Sequence, residues 1–460
     1  MTSKIFLADV ASRDRELTKA DISNAYTCGA RNTAEPSYAF LPKGHEAYTE
    51  WGEPLIIELG TPLWGEPAAG RDWFKELERA LIEMGLERSE GVPCMWHFRG
   101  VDSDVRLLTI VDDILISETR GHHEISDRIL ELLRSRFDIT SQRDPTSFAG
   151  LKIARNRSMN ALTLSLPQKV REALTQLDPQ SELRDSSRAS APVTQGQMRA
   201  LADALQSQPL ADGAKLTPAQ KRVQMAVGHF KYIERVMPAI SLPVHRLASV
   251  MISAPPEATT VVNTILRYLS QHIDDGLTYG GGGLSSEPRL KGGLYADFEL
   301  EKGAPRQLEG TADATYGSFE LMGNMLTFCG AAVYHKVQRI AVECGSSHEA
   351  EALASFKLLD VLLTARNVLT AVGTPPQGPT FIATDNKAHM LVAHSAGSSV
   401  RSRHFLKKYT IMQERMERKE ITIGHVKDAQ NPADFLTKWV SADKFKTSLA
   451  YATNSLAYVP

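Results

Sequence analysis

Acidic residues at two places in this chain have the types and spacing to hold divalent cations. At the first place two adjacent carboxylates, Asp112 and Asp113, interrupt an apolar run that extends from Leu107 to Ile116. The apolar residues on either side predict two short strands that meet at an acidic turn. Paired carboxylates at a hairpin tip can bind Mg²⁺, although Asp-Asp is also an ordinary turn sequence.

A third carboxylate, Asp21, lies at the predicted end of an earlier short strand. Taken alone, an aspartate before small residues is equally suited to capping a helix or a turn. One acid on one strand, together with a pair at a hairpin tip, is the pattern with which polymerases hold two magnesium ions. One ion activates a primer hydroxyl, and the other neutralises the triphosphate and its leaving group.

The second place is the last third of the chain, where four more acids lie at predicted strand ends or in predicted helices: Asp313, Glu351, Asp385 and Asp434. Four carboxylates carry enough charge for the two ions, Mg²⁺ or alternatively Mn²⁺, that phosphodiester hydrolysis uses. Taken singly, each acid also has a structural interpretation, as a turn residue or, for Asp434, as the start of a helix predicted near 432–449. Glu349 lies in the same predicted helix as Glu351 and is an alternative to it.

The elements that must position these acids belong to a chain of 460 residues, long enough for two or three domains. The net charge of −2 excludes a global basic field, so any nucleic-acid surface must be local. The four scattered cysteines argue against a CxxC metal site and against a disulfide framework. With no signal-peptide core and no apolar run of membrane-spanning length, we expect an intracellular protein without a membrane partner, in a cytoplasmic particle or the nucleus.

Two shifts in composition divide the chain. Residues 178–217 are rich in Ser, Gln, Asp and Pro and predict a flexible linker, and a glycine-rich stretch over 280–293 predicts a hinge. Between them, Pro218–Ile273 is predicted to be helical. The first and last blocks mix strands with helices, and one of the strands is predicted near 325–335.

The ordered motifs of the first block resemble the reverse transcriptase of copia-type LTR retrotransposons. They are Asp21–Tyr26, Leu63–Gly65, Arg71–Trp73, Ser89–Cys94, Val111–Asp113 and Phe148–Ile153. Val227–Tyr232 and Ile265–Leu269 resemble the connecting segment of that family, and 294–440 resembles its RNase H domain. The resemblance implies an α+β and α/β multidomain protein. Its parts would be an N-terminally truncated reverse transcriptase palm (1–177), a linker and helical connection (178–293), an RNase H-like mixed sheet with flanking helices (294–446) and a tail (447–460).

Carried over residue by residue, the resemblance makes the seven acids metal ligands: Asp21, Asp112 and Asp113 for a polymerase, and Asp313, Glu351, Asp385 and Asp434 for an RNase H. Tyr26 would be the aromatic gate against a ribose 2′-hydroxyl, or equally an ordinary half-buried aromatic residue. A basic window would contact the backbone of an RNA–DNA hybrid, although such runs are commonly solvated surfaces: Arg401, Arg403, His404, Lys407 and Lys408. The implied partners are RNA–DNA hybrid, template-primer nucleic acid and other parts of the retrotransposon polyprotein.

Several residues depart from the family pattern in the polymerase block. Only twenty residues precede Asp21, so we expect the fingers subdomain to be missing. Ala68 stands where the family usually has Gln, Gly70 where it has Pro, and Ile110 where it has an aromatic residue. Because of these departures we expect no primer extension. Because all four acids of the last block are present, we expect hydrolysis of RNA in RNA–DNA hybrids. The alternatives are a decayed or domesticated fragment that binds nucleic acid without catalysis, and a cellular RNase H enzyme with an unrelated N-terminal domain.

Overall fold

The computed structural model describes residues 1–29, 36–99, 104–183, 189–204, 215–281, 307–317, 320–395 and 405–455. The chain divides into two compact units: residues 15–149, here called the small unit, and residues 1–14 with 150–460, here called the large unit. Both units combine helices with β-sheets, which confirms the expected mixture of α and β structure. No helix within the described ranges is long and apolar enough to cross a bilayer.

Helix α1 (Thr2–Ser12) opens the chain and belongs to the large unit. The small unit follows with these elements: β1 (Glu16–Ile22), a 3₁₀ helix (Ala25–Cys28), β2 (Tyr38–Phe40), β3 (Ile56–Glu58), α2 (Ala69–Glu83), β4 (Glu87–Arg88), β5 (Met95–Arg99), β6 (Asp104–Ile110), β7 (Asp113–Glu118), α3 (Glu124–Arg134), β8 (Ile139–Arg143) and β9 (Ser147–Phe148). Six strands form its main sheet in the order β4-β5-β6-β7-β1-β8, and β2 pairs with β3.

The core of the small unit lies on one face of the six-stranded sheet. Ile114 and Ile116 on β7 point to the same face because side chains alternate along a strand. Trp73 and Leu77 from α2 and Leu133 from α3 belong to the same buried cluster. Apolar residues three or four positions apart, such as Trp73 and Leu77, give each helix one apolar side that covers the sheet.

The predicted acidic hairpin is confirmed. Strands β6 and β7 are antiparallel, and the pairing of Ile110 with Asp113 leaves Val111 and Asp112 as the two-residue turn. Val111 has φ 57°, a left-handed conformation that a β-branched residue rarely adopts. The turn therefore places both aspartates at the tip of the two-stranded ribbon.

The large unit continues with β10 (Leu151–Asn156), β11 (Ala161–Ser165), α4 (Pro167–Leu177), α5 (Gln195–Ala204), α6 (Pro218–Ile233), α7 (Ser241–Val250), α8 (Pro256–Gln271), β12 (Gly276–Gly280), β13 (Glu309–Ala314), β14 (Leu321–Phe328), β15 (Ala331–Arg339), α9 (Ser347–Ala371), β16 (Thr380–Thr384), α10 (Lys387–His394), α11 (Leu406–Glu417), β17 (Ile421–His425) and α12 (Ala442–Thr453). The antiparallel strands β10, β11 and β12 are neighbours in one sheet. Helices α6, α7 and α8 confirm the helical region predicted between Pro218 and Ile273.

A five-stranded sheet in the order β15-β14-β13-β16-β17 carries the acids of the last block. Strand β14 is antiparallel to both β13 and β15, whereas β16 is parallel to both β13 and β17. The carboxyl ends of β13, β16 and β17 consequently meet at one edge of the sheet. Ligand sites in sheets with parallel strands form at such edges.

Three expectations about secondary structure were wrong. The strand predicted near 325–335 is a hairpin, because Cys329 and Gly330 adopt positive φ of 51° and 92° and reverse the chain. The helix predicted near 432–449 is a 3₁₀ turn (Asp434–Leu436) followed by α12. The predicted linker contains α5, which buries Met198 and Leu201. The glycine-rich hinge lies mostly outside the described residues.

Candidate metal centre

The carboxylates of the last block converge at the edge of the five-stranded sheet. One ligand oxygen each from Asp313, Glu351 and Asp385 lie within 4.8 Å of one another. Asp385, Asp428 and Asp434 form a second set with the same spacing, so that Asp385 is common to both. The structure thus brings together all four acids predicted for this site and adds Asp428.

Asp428 was not predicted. It lies in a short 3₁₀ helix (Asp428–Gln430) that follows β17, and its side chain is 75 % exposed. The available signal was its position just past a predicted strand near 421–426, beside the motif that carries Asp434. The sequence does not reveal that this turn folds back toward Asp385.

Strand order and helix packing explain why the first set meets. Asp313 lies on β13 and Asp385 directly follows β16, and these strands are parallel neighbours. Glu351 comes from the second turn of α9. Its Oε1 accepts a hydrogen bond from the main-chain nitrogen of Ala314 at 3.0 Å, and its Oε2 accepts one from Thr384 Oγ1 at 3.3 Å. The side chain is thereby fixed between the ends of the two strands.

The turn that carries Asp434 packs directly on β14 at a glycine. Gly323 is paired with Asp313 across the strands. A Cβ atom at Gly323 would lie 2.7 Å from Leu436 Cβ, which is closer than side chains tolerate. The absence of a side chain at this position allows Asp434 to approach the strand that bears Asp313.

Neutral polar groups hold Asp313 in place. Asn431 is fully buried, and its Nδ2 donates to Asp313 Oδ1 at 3.4 Å. The Thr437 hydroxyl donates to Asp313 Oδ2. Because both donors come from the segment around Asp434, the 3₁₀ turn and the strand support each other.

Two lysines neutralise part of the acidic charge. Lys438 Nζ lies 3.1 Å from Asp434 Oδ2, 3.5 Å from Asp428 Oδ1 and 3.8 Å from Asp313 Oδ1. Lys444, on α12, also contacts Asp434 Oδ2 and lies 3.8 Å from Asp428 Oδ2. Both ammonium groups therefore contact Asp434 and Asp428, and that of Lys438 also reaches Asp313.

Burial and mutual repulsion raise the pKa of the clustered acids. Burial first, and the Asp434 carboxylate second, raise the pKa of Asp313 well above its ordinary value. The pKa of Glu351 is likewise raised by burial and by Asp313, and that of Asp385 by burial and by Asp434. Burial lowers the pKa of Lys438, but the surrounding carboxylates outweigh this effect and the net pKa is raised.

The residues present fit a divalent cation. Asp434 is fully buried, and its Oδ1 has no hydrogen-bond partner among the described residues. A buried carboxylate oxygen without a donor is costly unless a cation or water satisfies it. Since every candidate ligand is a carboxylate oxygen, the donor set suits a hard ion such as Mg²⁺ or Mn²⁺.

Glu349 does not share this position. Its side chain is buried, and Oε2 accepts a hydrogen bond from the main-chain nitrogen of Gly345 at 2.8 Å. A carboxylate that binds a free amide before the first turn stabilises the start of a helix. Glu349 therefore orders the start of α9, and Glu351 is the acid that reaches the cluster.

The predicted basic window is only partly described. Arg401, Arg403 and His404 lie outside the described residues. Lys407 is exposed in the first turn of α11, and Lys408 Nζ lies 4.4 Å above the ring centre of Phe405.

The acids predicted for a polymerase site lie in the small unit. Asp21 on β1 is directly opposite Asp113 on β7, whereas Asp112 is exposed in the turn. Among the described residues, these three do not form a set of ligand oxygens within 4.8 Å of one another. Tyr26 is half-buried in the Ala25–Cys28 helix, and its ring contacts Trp64 edge-on with centroids 6.1 Å apart.

Comparison with known proteins shows that the chain is similar to a transposon polyprotein. The chain is 23 % identical over 450 residues to a retrovirus-related Pol polyprotein from transposon TNT 1-94 of Nicotiana tabacum. The aligned region is 97 % of this chain and 31 % of the relative, so the chain spans about a third of that polyprotein. No family model matches the chain. A foamy viral protease-reverse transcriptase, solved in complex with double-stranded DNA, aligns with 90 % of this chain and 59 % of its own at 13 % identity, with a TM-score of 0.20.

Proposed function

We propose that the chain is part of a copia-type retrotransposon Pol polyprotein and that its large unit hydrolyses RNA in RNA–DNA hybrids. The observation that carries the proposal is the convergence of Asp313, Glu351, Asp385 and Asp434 at one edge of a mixed sheet. Similarity to a Pol polyprotein over nearly the whole chain supports the same assignment. In this proposal residues 1–177 are a truncated reverse transcriptase palm, 178–293 are the linker and helical connection, 294–446 are the RNase H-like domain and 447–460 are the tail.

The carboxylates would hold the divalent ions, which supply a nucleophile from water and stabilise the leaving oxygen when they are bound. Asp385, common to both sets, would be the shared ligand. Asn431 and Thr437 hold Asp313 at a fixed orientation through hydrogen bonds to its two oxygens. Burial of Asp313 and Glu351 excludes water from one side of the site, and the more exposed Asp385 and Asp428 leave the other side open to a phosphodiester.

The partner of this site would be an RNA–DNA hybrid. Lysine and arginine side chains attract a polyanion and position its backbone without reading sequence. We assign this role to the basic window, with Lys407 and Lys408 as its described members. Template-primer nucleic acid and other segments of the polyprotein are the further proposed partners.

Cleavage of a labelled hybrid in Mg²⁺ by the full chain, with Asp385→Asn beside it, tests the proposal. We expect cleavage by the unmodified protein and a loss of at least about 100-fold in the variant, since one ligand common to both sets is removed. Asp443→Asn is the matched control, because Asp443 is an exposed aspartate on α12. Equal cleavage by the protein and by Asp385→Asn would refute the assignment.

One observation favours a second candidate, a decayed or domesticated fragment that binds nucleic acid without catalysis. Lys438 and Lys444 already neutralise Asp434 and Asp428. The same experiment separates the two functions. Binding of the hybrid without cleavage, in either Mg²⁺ or Mn²⁺, would support the second candidate.

A further inference from the structure

A lysine side chain lies between the two opposed aspartates of the small unit. Lys19 Nζ is 2.7 Å from Asp113 Oδ1 and 3.8 Å from Asp21 Oδ2. The contact with Asp113 is an ion pair without hydrogen-bond geometry, because Asp113 Oδ1 has no aligned hydrogen-bond donor among the described residues. The ammonium group thus acts as a point charge between two carboxylates.

The strand pairing fixes this arrangement. Lys19 and Asp21 are two residues apart on β1 and therefore point to the same face of the sheet. Asp21 is paired with Asp113, and Lys19 with Leu115. The intervening Ala20 points to the opposite face, into the buried core. Two like charges directly opposite each other across strands are destabilising, and a cation on the same face relieves that repulsion.

The three acids of the small unit do not fit a two-metal site as they stand. Asp112, the third acid, points into solvent from the turn and does not complete a ligand set with the other two. A divalent ion bound to Asp21 and Asp113 would lie close to the Lys19 ammonium group. Two positive charges so close together repel each other strongly.

We propose that Lys19 takes the place of a divalent cation between Asp21 and Asp113, so that the small unit does not bind the ions of a polymerase. The two carboxylates are balanced by a charge that belongs to the chain itself. Removal of that charge leaves the two opposed carboxylates of Asp21 and Asp113 as an acceptor for a hard divalent ion.

Binding of Mn²⁺, followed by the electron paramagnetic resonance signal of the free ion, tests the proposal. The background is the full chain with Asp313→Asn and Asp385→Asn, which removes ligands from both sets of the large unit. Adding Lys19→Gln should lower the dissociation constant for Mn²⁺ by roughly tenfold or more, because a repelling charge is removed. Lys19→Arg, which keeps the charge, should show no such gain.

The matched control is Lys75→Gln, which makes the same change at an exposed lysine on α2 and should leave Mn²⁺ binding unchanged. Adding Asp113→Asn to the Lys19→Gln protein should abolish the gain. Circular dichroism of each variant verifies folding. The proposal is overturned if Lys19→Gln binds Mn²⁺ no more tightly than its background. Hybrid cleavage by the large unit has no part in this measurement, so either result leaves the proposed function to its own test.

Discussion

The indole nitrogen of Trp73 donates a hydrogen bond to the main-chain oxygen of Val111 at 2.7 Å. Trp73 is 2 % exposed and packs edge-on against Phe137 with ring centroids 5.4 Å apart. The tip of the acidic hairpin is therefore attached to the core beneath the sheet. This attachment stabilises a turn residue whose own backbone conformation is unfavourable.

Val111→Gly should stabilise the small unit. The left-handed φ of 57° strains the backbone of an L-residue but not that of glycine. Little buried surface is lost, because the Val111 side chain is 45 % exposed. Relief of roughly 1–2 kcal/mol of strain exceeds the extra unfolded-chain entropy of glycine, about 0.5–1 kcal/mol, so we expect the free energy of unfolding to rise by up to about 1 kcal/mol. Urea denaturation followed by tryptophan fluorescence measures this, because Trp73 and Trp96 are buried in this unit.

Val111→Thr is the control for that change. Threonine is also β-branched and similar in size, so it keeps the strain at the turn. It should leave the urea midpoint of the small unit close to that of the unmodified protein. A midpoint for Val111→Gly below that of the unmodified protein would contradict the strain argument.

Asp313→Asn should stabilise the protein when chelator keeps divalent ions away. The pKa of Asp313 is raised in the folded state, by burial and then by Asp434. The folded protein therefore holds this proton more tightly than the unfolded chain. As the pH rises from about 4, the ordinary pKa of an aspartate, toward the raised pKa of Asp313 in the folded state, ionisation of this carboxyl group lowers the free energy of unfolding. Asparagine at this position removes that cost.

Thermal unfolding in EDTA between pH 4 and 8 measures the effect. The stability gain of Asp313→Asn should be small near pH 4 and reach about 1–3 kcal/mol near pH 8. Asp443→Asn, an exposed aspartate, should show no pH-dependent gain. Parallel stability curves for Asp313→Asn and the unmodified protein across this range would exclude the predicted repulsion.

The sequence predicted individual elements better than the way in which distant segments meet. The Asp112-Asp113 hairpin follows from the two apolar segments on either side of the acidic pair, and pairing of β6 with β7 needs no long-range contact. By contrast, the turn at Cys329 and Gly330 interrupts an apolar run that is indistinguishable from one longer strand. Periodicity alone does not mark the residue at which such a run reverses.

The candidate site shows the same limit. Asp313, Glu351, Asp385 and Asp434 were singled out from ordered motifs. The ion pairs that surround them were not, because Lys438, Lys444 and Asp428 meet only through the fold of the segment after β17. Lys19 is a similar case, since its position beside Asp113 depends on the register between β1 and β7.

Glu351→Gln and Glu349→Gln together test which acid of α9 serves the site. Glu351 binds Ala314 N from within the cluster, whereas Glu349 binds Gly345 N before the helix. We expect Glu351→Gln to lower hybrid cleavage at least about 100-fold with little loss of stability. Glu349→Gln should instead cost about 1 kcal/mol in thermal unfolding and keep cleavage within a few-fold. The reverse pattern would assign the ligand to Glu349.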